Sequence, residues 1–241
     1  MSTSNHVADQ LQEVQNTVNT AAEKSPFQQK VQLLAVSKTW PCEHIQPAID
    51  AGHLHFAENK LQEGQEKIPQ LSESLHWHYI GRLQKNKIRK IIKLFHVIHS
   101  FDSLKLLQYA DRIAGEEAKT PEVLLQINLA EEEQKGGFTK DALLQALPEI
   151  QALQHLKVVG LMIIPPAVKE AEKSRPWFSK LRELQGELNQ GHSLNWQELS
   201  MGMSNDYAIA IEEGATMVRV GSAIFGQRHY PTARTEILQF N

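Results

Sequence analysis

The run Leu33-Leu-Ala-Val-Ser-Lys38 is a short apolar segment closing on a lysine. By itself such a run is either a buried strand or a piece of buried helix; its length and what flanks it decide between them. Working outward, runs of the same kind recur at Leu54 to Glu58, His76 to Ile80, His96 to Phe101, Val123 to Leu129, Val158 to Ile164, Gln197 to Met201 and Met217 to Val220. Between them lie helix-length stretches with apolar residues three and four apart, as in Ile45, Ala48 and Ile49, or Leu104, Leu107, Ala110 and Ile113. Eight strands alternating with helices read as a parallel sheet. In about 250 residues such a sheet most often closes into a (β/α)8 barrel of the TIM type. An open doubly wound sheet is the competitor, but no glycine-rich dinucleotide fingerprint follows the first run.

One further amphipathic segment, about residues 6–24, precedes the first strand, with Val7, Leu11, Val14 and Val18 at helical spacing. It is expected to be an extra helix over the barrel floor, ending before Pro26 because proline disfavours helix at the residue before it. No repeat, low-complexity tract or long Pro/Gly/Ser linker divides the 241 residues, so the expectation is one domain over 1–241, with its barrel at about 31–230.

The chain carries 25 Lys and Arg against 28 Asp and Glu, a net charge of −3, without a long block of either sign. A nucleic-acid partner is therefore not expected. No apolar stretch approaches the ~18 residues of a membrane span, and Met1 to Asn19 lacks the basic start and apolar centre of a signal peptide. Cys42 is the single cysteine. A reducing compartment, with the cytoplasm as default, follows.

A barrel of this kind carries its site at the C-terminal ends of its strands. Walking those ends gives Lys38, Asn59, Gly81 with Arg82, Ser100, Asn128, Ser204, and Gly221 with Ser222. Lys38 would stand at the mouth of an apolar barrel, where desolvation favours the neutral amine that attacks an aldehyde; a merely solvated lysine is the plainer reading from position alone. Opposite it, Ser200-Met-Gly-Met-Ser204-Asn-Asp206 and Arg219-Val-Gly221-Ser222-Ala-Ile-Phe-Gly226 flank a short helix from about Tyr207 to Glu213. Loops after the seventh and eighth strands are this fold's usual phosphate site. Gly221 lets the main chain approach an anion, and the two serines bring donors, although turn and capping roles would explain the same residues.

Taken together, LLAVSK ending at Lys38, HFAEN ending at Asn59, HYIGRLQKNK from His78 to Lys87, HSFDS from His99 to Ser103, GLM at Gly160 to Met162, LSMGMSNDYAIAIEEGAT from Leu199 to Thr216 and VRVGSAIFG ending at Gly226 resemble the pyridoxal phosphate homeostasis proteins, the YggS/PROSC family. The resemblance runs from about Leu33 to Arg228, with Ala57 in a segment that usually reads FGEN and Ser222 where threonine is common. It implies the barrel of the alanine racemase amino-terminal domain, with pyridoxal 5'-phosphate (PLP) held as a Schiff base on Lys38. Its phosphate would lie on Ser204, Gly221 and Ser222, Asn59 near its ring, and Arg219 facing the pyridine nitrogen. A permanent cation there would blunt the cofactor as an electron sink.

Racemisation also needs a base on each face of the α-carbon. In alanine racemase the second is a tyrosine of a separate domain, for which this chain has no counterpart; Tyr79, Tyr109, Tyr207 and Tyr230 are its only tyrosines. The expectation is thus a cofactor carrier or reservoir in PLP homeostasis, without efficient amino-acid turnover, monomeric, and serving apo-enzymes that accept PLP. A fold type III racemase is the alternative, and a sugar-phosphate aldolase a third class. His53, His55, His76 and His78 have the alternate spacing of barrel metal sites but fall toward the floor end, so no metal is expected. The basic patch Arg82, Lys85, Lys87, Arg89 and Lys90 is read as a solvated helix face, with a surface for a cofactor-accepting protein or for an anion entering the site as the alternative, Cys42 as inert, and Glu131 to Glu133 as an exposed loop.

Overall fold

The computed structural model describes residues 3–132 and 134–227; the end of the expected barrel span, Arg228 and Tyr230 all lie outside the described residues. Eight parallel strands close into a barrel in sequence order: β1 Gln32–Val36, β2 His55–Glu58, β3 His76–Tyr79, β4 Val97–Phe101, β5 Glu122–Ile127, β6 Lys157–Ile163, β7 Glu198–Met203 and β8 Met217–Val220. β8 returns to β1 with Leu34 beside Arg219 and Ala35 beside Val220, which closes the ring. All eight apolar runs are strands, and helices follow them: α2 Cys42–Asp50, α3 Leu61–Lys67, α4 Ile88–Leu94, α5 Leu104–Glu116, α6 Lys140–Gln151, α7 Arg175–His192, α8 Tyr207–Glu212 and the single turn α9 Ser222–Phe225.

Strand alternation sorts side chains into two layers. Leu33, Ala35, Phe56, Trp77 and Tyr79 face outward into one large core shared with the helices, which bury Ile45, Ala48, Leu107, Ala110 and Ile113. Inside the barrel are two small separate apolar clusters, Leu34, Val36, Ala57 and Met217 on one side and Val97, Leu124 and Met162 on the other. The remaining lumen is polar: His78, His99, Ser200 and Arg219 are all buried.

The amino-terminal helix α1 runs from Thr3 to Lys24, three residues earlier than its apolar spacing indicates. Val7, Leu11, Val14, Val18 and Ala21 form its buried stripe. At roughly 1.5–3 kcal/mol for each large apolar side chain, that stripe suffices to dock the helix. It docks against α2, α8 and α9 on the barrel's flank, which corrects the expectation of a lid over the floor. The floor is an open cavity of about 480 Å³ that α1 borders only through Gln15, the rest of its lining including Lys30, Gln32, His53, His55 and Glu198. Among the described residues no helix is long and apolar enough to cross a membrane.

Candidate functional site

Gln32, Leu34 and Val36 share the inner side of β1, and the same alternation places Lys38, two residues past the strand, on the lumen side of the mouth, where it is half-buried. The residues on either side of it are held from outside the barrel. Ser37 is buried and donates its hydroxyl to Glu58 Oε1 at 2.7 Å. Lys67 of α3 donates to the same oxygen at 2.7 Å and to the Ser37 carbonyl at 2.8 Å. Thr39 adopts φ +70°, a left-handed conformation that costs a β-branched residue about 1–3 kcal/mol, and its N–H donates to Glu63. Burial pushes the Glu58 carboxyl up, with Lys67 and Ser37 pulling the other way. Burial acts in the same direction on Glu63, but the Thr39 N–H and Lys67 outweigh it and hold that carboxyl low. The backbone on both sides of Lys38 is therefore tied to one buried ionic cluster.

Sequence reading missed that cluster. A lysine on a short helix gives no sign of burial, and Glu58 shows only as the last polar residue of a strand.

Asn59 follows β2, and its Oδ1 is buried without a hydrogen-bond partner among the described residues. A buried acceptor left so costs about 1–3 kcal/mol, an expense that persists most readily where a ligand relieves it. Gly81, after β3, is there because nothing larger fits: a Cβ would lie 1.9 Å from the Asn59 carbonyl oxygen. Ser100 donates its hydroxyl to the Gly81 carbonyl and is thus part of the same rim. Asn128 is spent on its own loop, bonding Glu132 and Lys135 main chain at 2.9 and 3.1 Å. Arg82 is exposed.

On the opposite side the loops after β7 and β8 meet. The Gly221 N–H donates to Ser204 Oγ at 3.2 Å, and Ser222 starts the turn of α9. A Cβ on Gly221 would come within 3.2 Å of the Val36 carbonyl, so the glycine also lets β8 close against β1 beside Lys38. Asp206 accepts the Met203 N–H at 2.8 Å and stiffens the loop that carries Ser204. Gly202, at φ +90°, lies where a Cβ would strike Ala210, letting β7 pass close under α8.

Arg219 is one inward step below Gly221 on β8 and is 4% exposed. It donates to Ser200 Oγ at 2.6 Å and to the Ile163 carbonyl at 2.9 Å. Burial pushes its guanidinium down to about 10, with Asp206 acting in the opposite sense, so it is a cation at neutral pH. The mouth thus joins an amine, a hydroxyl and amide pair beside a glycine, and a buried cation on three consecutive strands of the ring, β1, β8 and β7.

This chain matches the family model for the alanine racemase N-terminal domain over residues 10–229. It is 44% identical over 200 residues to a pyridoxal phosphate homeostasis protein of Synechocystis, covering 82% of this chain and 92% of that protein. The chain belongs to the pyridoxal phosphate homeostasis protein family. A second member, from Aquifex aeolicus, is 37% identical over 93% of this chain and its own full length. Among solved structures, PipY of Synechococcus elongatus superposes with a TM-score of 0.84 without PLP and 0.82 with PLP bound, at 38% identity over 91% of this chain and 100% of that one. An alanine racemase of Clostridium difficile shares the fold alone, with TM-score 0.72 and 16% identity over 95% of this chain and 58% of that one.

Tyr79 packs on Phe95 and directs its hydroxyl at the Arg82 carbonyl, Tyr109 lies under Lys85 and Arg112, and Tyr207 packs against the outer core. Arg89 of the basic patch pairs with Glu116 and Glu117 of α5. Burial pushes the Cys42 thiol up, away from reactivity. Of the acidic loop, Glu131 is exposed and Glu132 pairs with Lys135, while Glu133 lies outside the described residues.

Proposed function

We propose that this chain binds PLP at the barrel mouth and serves as a carrier or reservoir of it in the cytoplasm, releasing it to apo-enzymes and turning over no amino acid efficiently. Lys38 supplies the amine, which condenses with the cofactor's aldehyde with loss of one water. Ser204, Gly221 and Ser222 hold the phosphate, Asn59 borders the ring, and Arg219 faces its nitrogen. The observation that carries this reading is the joint of the Gly221 N–H with Ser204 Oγ beside the Lys38 segment and directly above buried Arg219. The PLP-bound structure of PipY supports the choice of ligand.

When bound, the cofactor supplies an electrophilic carbon and a ring that can accept electrons. Arg219 works against the second property. It already donates to Ser200 and Ile163 and carries a fixed charge, so a proton on a ring nitrogen beside it would be repelled. What remains is reversible capture of an aldehyde at the half-buried Lys38, with the phosphate providing most of the orientation. The chain acts as a single-domain monomer in this reading, which sedimentation at micromolar concentration checks.

Borohydride reduction followed by peptide mapping tests the site: the label should fall on Lys38, and label on another lysine defeats the assignment. Deuterium exchange at the α-carbon across a panel of amino acids tests the absence of turnover. Stoichiometric loading without exchange is expected, and rapid exchange would favour a racemase.

A further inference from the structure

A hydrogen-bonded column crosses the barrel lumen beneath the site. Gln32 Nε2 is 2.9 Å from His55 Nε2, His55 Nδ1 is 3.4 Å from His78 Nε2, and His78 Nδ1 is 3.0 Å from His99 Nε2. His99 Nδ1 lies 2.8 Å from Ser200 Oγ, the atom that accepts from Arg219. The lower end, Gln32 and His55, lines the open floor cavity. The upper end is the guanidinium under the mouth. No role proposed above uses the three imidazoles.

All three rings are neutral at pH 7. Burial pushes His99 down to about 3, with Arg219 adding to the effect; it pushes His55 to about 4, helped by His76, His53 and His96, and His78 well below its ordinary value. Around the column, His76 stacks on His55 with ring centres 5.0 Å apart and faces His96 at 5.2 Å, and among the described residues no carboxylate bonds any of the three rings. A neutral imidazole has one N–H and one lone pair. Each ring-to-ring contact needs one proton, so the three must share a tautomer. With Nδ1–H throughout, the column donates upward to Ser200 and accepts from the Gln32 amide N–H; with Nε2–H throughout, it donates downward, which requires the Gln32 amide to turn its Oε1 toward His55. A mixed column sets two lone pairs or two N–H groups against each other, which in a buried site costs about 1–3 kcal/mol.

We propose that Gln32, His55, His78 and His99 act as one two-state unit through which the barrel floor sets the hydrogen-bond character of Ser200, making His99 and Ser200 positioning residues for Arg219. With the Gln32 amide donating to His55, the resting state is Nδ1–H on all three rings. Ser200 Oγ then accepts from both His99 and Arg219, and its own proton is not spent on His99. In the opposite state that proton is consumed by His99. A hydrogen-bonding group that entered the floor cavity and donated to or accepted from His55 would thus be felt under the cofactor site. Only this last consequence rests on the PLP reading; the column itself does not.

Long-range ¹H–¹⁵N correlation on protein labelled in its histidines, with no cofactor added, tests the unit directly. At pH 8 the wild type should show all three rings neutral with the proton on Nδ1. Gln32→Glu, which replaces a donor by an acceptor at the floor, should invert the Nδ1 and Nε2 resonance pattern of His99 three contacts away. The same substitution together with His55→Phe should leave His99 as in the His55→Phe single variant. Mixed tautomers in the wild type, a protonated ring at pH 8, or a Gln32→Glu spectrum with unchanged His99 overturns the proposal. With PLP added, Gln32→Glu should displace the absorption maximum of the bound chromophore while still loading Lys38; an unmoved maximum with an inverted His99 breaks the link to the site alone, and failure to load a folded wild type refutes the PLP reading without touching the column.

Discussion

Lys67→Met removes the cation of the cluster behind Lys38 and keeps most of the side chain's volume. In the native protein Lys67 Nζ lies 2.7 Å from Glu58 Oε1 and 3.4 Å from Glu63 Oε2, and Glu58 is 0% exposed. Breaking a buried pair from one side leaves an uncompensated charge and costs about 3–5 kcal/mol. For a chain of this size, at ~2–4 °C per kcal/mol, the melting temperature should fall by about 6–20 °C. The loss has a definite pH dependence. Burial already raises the Glu58 carboxyl, and Lys67 opposes that rise. Without Lys67 the folded-state pKa moves up further, because burial is then opposed only by the Ser37 hydroxyl. Between the unfolded value and that raised one, the folded state holds more protons than the unfolded state, so the variant loses stability as pH rises through this interval. Thermal melts at pH 5 and pH 8 should therefore show a small deficit at the lower pH and the full deficit at the higher. Lys67→Met combined with Glu58→Leu should regain most of the loss, because neither charge is then stranded. A single variant within 2 °C of wild type at pH 8, or a deficit equal at the two pH values, refutes the reasoning.

The other expected outcomes probe the rim, the lumen and the amine. Gly81→Ala would set a Cβ 1.9 Å from the Asn59 carbonyl oxygen, backbone against backbone, and should cost about 3 kcal/mol in urea denaturation; Gly186→Ala on α7, with nothing within 4 Å, should be neutral or stabilising by up to ~1 kcal/mol. The column histidines have folded-state pKa values below the unfolded one, so they stabilise the protein above about pH 6.5 and lose that contribution as pH falls. Replacing His99 by Asn should reduce the slope of stability against pH by about 1.4 kcal/mol per unit between pH 5.5 and 4, and an unchanged slope means His99 is not held neutral. PLP at a hundredfold excess over its dissociation constant should add about 2.7 kcal/mol to the wild type, and Lys38→Ala should lose at least part of it; equal gains would mean the covalent bond contributes little.

The barrel was readable because each strand is a short run with an apolar outward side, as in Leu33 with Ala35 or Trp77 with Tyr79, and each such run is bounded by amphipathic stretches. The position of α1 was not readable: the stripe from Val7 to Ala21 says that one face is buried but not against what, and only the gap between α2 and α8 on the closed ring supplies the answer. The same distinction governs the site. Lys38, Asn59 and Gly221 are visible from sequence because a strand end has a fixed meaning in this fold. Lys67 and Glu63 are not, since a helix surface has no such rule, and what selects them is the place where α3 lands behind β1 and β2. His78, His99, Ser200 and Arg219 fall between these cases. Alternation alone points each of them inward, as it does Lys38, and a reading that asked which inward positions are polar would have found a polar column where a barrel of this kind is ordinarily filled with Val, Ile and Leu. A lumen built that way sacrifices packing energy along its axis. The column's hydrogen bonds share the lumen with its two separated apolar clusters, so the loss of one contact should weaken the barrel as well as alter what Arg219 presents to the mouth.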